Sequence, residues 1–158
     1  MNFPEKVTFK LIDKATRKPV SNIATLLTLY AHRKNNYSVG IKISDDDGLI
    51  IFSKEDCLKG IKNAWNFHLM DYSSTLEQCL PKVSLESMTN EQLNYVINHR
   101  REFQDIYHKY VDCSEKFLKQ LESVDNAKYI YKEYHFTEQE LWQNKVLEVE
   151  VEKIAGKD

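Results

Sequence analysis

The residues able to do chemistry are few and thinly spread. His99 with Glu102, and His108 with Asp112, stand three and four positions apart, a spacing that puts two metal ligands on one helical face. The polar residues around them make solvent-facing positions of a long helix the better reading. Asp45, Asp46 and Asp47 cluster oxygens of the kind Ca²⁺ accepts, but without the spaced acids of an EF-hand loop they suit a tight turn. Cys57 stands near a helix start, a setting that can activate a thiol, yet no base partner is visible and a half-buried core cysteine is expected. His68, Tyr134 and His135 are the groups a pocket could draw on. The cluster His99-Arg100-Arg101, with Lys109, Lys116 and Lys119, could follow a phosphate backbone. Glu91, Glu102, Asp105, Asp112, Glu115 and Glu122 intervene, which makes a mixed, solvated helix face the stronger reading. No Gly-rich phosphate loop, GxSxG elbow or HExxH helix occurs. No catalytic, cofactor-binding or metal-binding residue is therefore assigned, and a non-enzymatic role is favoured.

Composition narrows the partners. Twenty-two Lys and Arg face 24 Asp and Glu, so with a net charge of −2 there is no positive field for nucleic acid or anionic lipid. Apolar residues make up 42% and charged residues 29%, as in a soluble globular chain, and 158 residues amount to one domain able to bury a full core, 1–158. Cys57, Cys79 and Cys113 are odd in number and lack CxxC spacing, which argues against a disulfide framework or zinc knuckle. No signal peptide or membrane span is visible, and a reducing cytoplasm is the expected location.

The elements that must position these residues begin with strands. Lys6 to Asp13 alternates, with Val7, Phe9 and Leu11 on one face. A polar turn closed by Pro19 leads to a second strand, Ile23 to Ala31, and a hairpin tip at Arg33 to Asn36. Tyr37 to Ser44 alternates again, with Tyr37, Val39, Ile41 and Ile43 expected on one face. The three aspartates and Gly48 then make a turn into the apolar strand Leu49 to Phe52. Ser53 ahead of Glu55 and Asp56 predicts an N-cap, with Leu58, Ile61 and Trp65 at helical spacing after it. Asn66 to Tyr72 is read as a further strand, and Ser73 to Ser87, with Pro81, as an irregular connection.

The run Asp13-Lys14-Ala15-Thr16-Arg17-Lys18-Pro19-Val20, followed by Ser44-Asp45-Asp46-Asp47-Gly48-Leu49-Ile50-Ile51-Phe52, resembles the transthyretin-like (prealbumin-like) β-sandwich in its carboxypeptidase regulatory-like form, over about residues 6–53. Arg17 stands where that family usually has glycine. The resemblance implies a seven-stranded sandwich serving as an accessory or binding module. Two hallmarks of the related 5-hydroxyisourate hydrolase, a first-strand histidine and a Tyr-Arg-Gly-Ser motif, are absent.

From Thr89 to Ser123 the pattern turns helical. Thr89 and Gln92 have capping-box spacing, and apolar residues recur every three or four positions without Pro or Gly. One helix over 89–123 would be a rod roughly 50 Å long, and a hairpin near Asp112-Cys113-Ser114 is the alternative. For 125–136, Tyr129 and Tyr131 suit a strand while Ile130 with Tyr134 suits a helix. Thr137 and Glu140 repeat the capping spacing, and Lys145 to Ile154 alternates as a closing strand.

The expected fold is α+β: an antiparallel β-sandwich, transthyretin-like or Ig-like, from strands in 6–72 and 145–154, with a mainly helical insertion over 85–144. The expected function is a protein-interaction or accessory module whose helical arm binds a protein partner or a second copy through Phe103, Tyr107, Tyr110 and Phe117, aromatics being strong interface anchors. A small-ligand protein or enzyme with a pocket between sandwich and helices is the alternative.

Overall fold

The computed structural model describes residues 4–30, 36–64, 82–99, 119–137, 140 and 146–156. Among them lie seven strands, two helices and a further short helical stretch at 119–122: β1 (Lys6–Asp13), β2 (Ile23–Tyr30), β3 (Asn36–Ile43), β4 (Leu49–Ser53), α1 (Lys54–Ala64), β5 (Lys82–Thr89), α2 (Asn90–Asn98), β6 (Lys132–Thr137) and β7 (Leu147–Val151). They form a three-stranded sheet ordered β4-β1-β7 and a four-stranded sheet ordered β3-β2-β5-β6. Every pairing is antiparallel except β1 with β7, which run parallel. The fold is thus α+β with two mostly antiparallel sheets, compatible with a sandwich.

Period-two alternation explains the core. Val7, Phe9 and Leu11 of β1, Ile50 and Phe52 of β4, and Val149 and Val151 of β7 are buried, and they meet Leu27, Leu29, Val83, Leu85 and Phe136 of the other sheet. Phe9 joins the two layers, its ring 6.2 Å from Phe52 and 5.2 Å from Phe136. Such aromatic pairs add about 0.5–1.5 kcal/mol beyond the area they bury.

Two turns lock the first strand. The Asp13 carboxylate accepts from the amides of Ala15 (2.8 Å) and Thr16 (3.1 Å) and from the Tyr129 hydroxyl (3.1 Å). These bonds, the Thr16 amide foremost, hold its pKa below the ordinary carboxylate value despite burial. Arg17 takes a left-handed φ of 63°, and its guanidinium reaches Glu150 (2.7 Å) and Glu148 (3.2 Å) on β7. Asp45 accepts from the amides of Asp47 and Leu49, both at 2.9 Å, and Gly48 follows with φ 75°. The Leu11 amide donates to the Gly48 carbonyl (2.8 Å) and the Leu11 carbonyl accepts from Val20 (2.9 Å), so both turns close on one residue of β1.

α1 opens as its sequence predicts. Ser53 Oγ accepts from the Asp56 amide (3.0 Å), Asp56 accepts from the Ser53 amide (2.9 Å), and Lys42 Nζ reaches Asp56 at 2.7 Å. Burial pushes the Asp56 carboxyl up, but the bonds from Lys42 and Ser53 outweigh it and leave the pKa lowered. Cys57 is a core cysteine, fully buried where a half-buried one was expected.

Several expectations are corrected. The 73–87 stretch is not wholly a connection, because Lys82–Thr89 is strand β5, held between β2 and β6. Residues 125–136 resolve toward strand, with β6 over Lys132–Thr137. The 85–144 stretch expected to be mainly helical therefore contributes two strands to the sheet. The helix expected over 89–123 is not unbroken: α2 closes at Asn98, where the His99 amide and ring nitrogen both engage the Tyr95 carbonyl. In β3 a bulge opposite Leu27 and Thr28 shifts the register, so Tyr37 is buried while Ile41 and Ile43 are each 52% exposed. The antiparallel expectation fails at β7, whose alternation is right but whose neighbour is the parallel β1.

Candidate functional site: a hollow on the outer face of the four-stranded sheet

Strand pairing decides which side chains reach the outer face. Leu27 pairs with Leu85 and Leu29 with Val83 on the core side, so Leu26, Glu86 and Glu133 share a row on the opposite face, with Thr28, Ser84 and His135 in the next. α2 is seated over this face by its own cap. Thr89 and Gln92 form a complete capping box, and the fully buried Gln92 donates to the carbonyls of Leu121 (3.1 Å) and Tyr129 (2.9 Å). One side chain thus ties the helix start to residues 119–122, which are helical, and to the approach into β6. Leu121 is completely buried against Tyr95, Val96 and Tyr131.

Between α2 and the sheet is a hollow of about 180 Å³. Leu26, Ile41 and Met88 form its floor, Leu93 and Val96 its roof, and Glu86 with Tyr131 one wall. An engineered apolar cavity of about 150 Å³ admits benzene, so this volume takes one ring or one branched aliphatic side chain. Ile41 and its strand neighbour Ile43 extend the apolar surface outward, and Ile97 of α2 is 51% exposed.

Glu86 is the group sequence reasoning missed. Burial, with Glu133 across the ladder adding like charge, raises its pKa above the ordinary value, while a hydrogen bond with the Tyr131 hydroxyl opposes the rise. Glu133 accepts from Tyr30 (3.3 Å) and lies 3.5 Å from His135 Nε2. The signal was present, since Val83, Leu85 and Ser87 alternate with Ser84, Glu86 and Met88, but Pro81 and the serines drew the segment toward a loop.

Ser84 is the hydroxyl facing His135 across the ladder, yet it is fully buried and lies 3.1 Å from the Tyr30 hydroxyl, so no substrate carbonyl reaches it. Tyr134 and His135 do not converge: Tyr134 turns to the other face, its hydroxyl donating to the Glu150 carbonyl and its pKa pushed up to about 12, chiefly by burial. Phe103, Tyr107, Tyr110 and Phe117 lie outside the described residues, as do His68, Glu102, His108 and Asp112. Among the described residues no group of three or more His, Cys, Asp and Glu is placed to hold a metal ion, and no helix is long and apolar enough to cross a membrane.

No family model matches the chain, and no curated protein matches it either. Among solved structures, transthyretin from Sparus aurata is similar over 83% of this chain and 73% of its own, with a TM-score of 0.35 and 11% identity. A 9R-lipoxygenase from Cyanothece PCC8801 is similar over 53% of this chain, with a TM-score of 0.33 and 19% identity, and the matched part spans 10% of that enzyme.

Proposed function

We propose that the chain is a non-enzymatic protein-interaction module, a transthyretin-like sandwich whose working surface is the outer face of its four-stranded sheet. The observation that carries this reading is the half-open apolar hollow beneath α2, flanked by the exposed Ile41 and Ile43. Water gains by leaving such a surface, and a partner side chain that fills it becomes a central anchor. The segment between β5 and β6 supplies further contacts in this reading, with Phe103, Tyr107, Tyr110 and Phe117 as aromatic anchors to a protein partner or a second copy. The same hollow also suits the second reading, a pocket for a small apolar ligand.

The test is affinity capture from the native cell with three baits: the wild type, Ile41→Glu, and a triple variant with Phe103, Tyr107 and Tyr110 changed to Ala. A charge at the hollow is expected to abolish recovery of a specific partner while the thermal unfolding curve is unchanged, because Ile41 is already half in water. Undiminished recovery by both variants would overturn the reading. A chain that captures nothing, yet unfolds at higher temperature with millimolar benzyl alcohol, would shift the reading to the small-ligand pocket.

A further inference from the structure

We infer that the partner segment carries a lysine or arginine next to its apolar anchor, the cation settling against Glu86 and Glu133 while the apolar side chain fills the hollow. This rests on the reading of the hollow as a docking surface and adds the charge of what docks there. Glu86 walls the hollow and is the direct cross-strand partner of Glu133. Directly opposed residues of an antiparallel pair hold their Cβ atoms about 5 Å apart, and like charges so placed repel. Their described partners are the hydroxyls of Tyr131 and Tyr30 and the His135 ring, none of them a permanent cation.

Among the described residues, the basic side chains in ion pairs serve other sites. Lys42 holds Asp56, Arg17 holds Glu148 and Glu150, Lys14 is near Glu152, Lys59 is near Glu55, and Lys153 is near Asp13. Among the described residues, no fixed positive charge answers the negative charge at the rim of the hollow, and a cation brought by the partner relieves both the repulsion and the cost of keeping Glu86 half-buried. Two carboxylates beside an apolar wall are too few oxygens for a Ca²⁺ cage, and they repel anionic lipid and nucleic acid. A basic, apolar protein segment is the occupant that satisfies both halves of the surface.

The experiment titrates the ¹⁵N-labelled full chain with three probes: acetyl-Leu-Lys-amide, acetyl-Leu-Glu-amide and acetyl-Ala-Lys-amide. The Leu-Lys probe is expected to shift the amide signals of Leu26, Glu86, Met88 and Tyr131. It should bind about fivefold more tightly than Leu-Glu, the upper range for a half-exposed ion pair. That preference should vanish at high salt and in the folded Glu86→Gln/Glu133→Gln variant. Equal affinity for Leu-Lys and Leu-Glu, or a preference surviving in the double variant, would overturn the charge inference and leave the hollow standing. If Ala-Lys binds as well as Leu-Lys, or no probe binds, the docking reading itself falls.

Discussion

The Gly48 turn offers a sharp test of how the first sheet is held. A Cβ added at Gly48 would lie 2.5 Å from the Leu11 carbonyl oxygen and 3.2 Å from the Val20 amide nitrogen, where φ is 75°. Alanine there meets two costs. Left-handed backbone costs an ordinary residue about 1–2 kcal/mol, and moving the Leu11 carbonyl breaks its bond from Val20, worth about 1 kcal/mol. The sum, about 2–3 kcal/mol, lowers the melting temperature by roughly 4–12 °C in a chain of this size. Two companions separate the terms. Gly48→Asn keeps the clash while tolerating the backbone, and should still lose more than about 1 kcal/mol. Gly156→Ala has a similar φ of 81° with nothing within 4 Å, so it bears only the backbone cost. Circular-dichroism melting of all three decides it. If Gly48→Asn melts with the wild type, the contact between the two turns is not what holds β1.

Three further outcomes are expected. Gln92→Leu strands the Leu121 and Tyr129 carbonyls and the Thr89 amide, and should lose about 3 kcal/mol in urea unfolding; a loss below about 1 kcal/mol would mean α2 is held by packing alone. Arg17→Gly relieves about 1 kcal/mol of left-handed strain while losing two exposed ion pairs worth at most about 0.5 kcal/mol each, so in 1 M salt, where the pairs are screened, it should be at least as stable as the wild type. Glu86→Gln tests the raised carboxyl: the stability that Glu86 contributes is complete below its unfolded pKa and lost as pH rises through its higher folded value. The Gln variant should therefore melt higher than the wild type at neutral pH, with the advantage gone at acid pH, and a constant difference across the range would refute it.

What was legible in the chain was local. The caps at Ser53, Thr89 and Thr137 are visible because their partners lie three residues away; Thr89 and Thr137 form the reciprocal bonds their spacing predicts, and Ser53, expected as a simple N-cap, forms them with Asp56 as well. Alternation likewise marks β1 and β7, whose inward residues need only a period of two. What was not legible depended on distant partners. β5 looks irregular beside Pro81 until β2 and β6 flank it, and the β3 bulge sends Ile41 and Ile43 outward although they continue the rhythm of Tyr37 and Val39. The hollow inherits both difficulties, since Glu86 and Met88 lie on the missed strand and Ile41 beyond the bulge.

The parallel pairing of β1 with β7 has a kinetic consequence. Phe9 pairs with Leu147 and Asp13 with Val151, so one side of β1 stays unzipped until a strand far along the chain arrives. Closing so large a loop costs entropy before any contact repays it, which makes this seam a late step in refolding. Until then the nascent sheet offers an open edge to any passing strand. The acidic side chains of Glu148 and Glu150, which Arg17 grips once the seam closes, keep the last strand in solution until it docks.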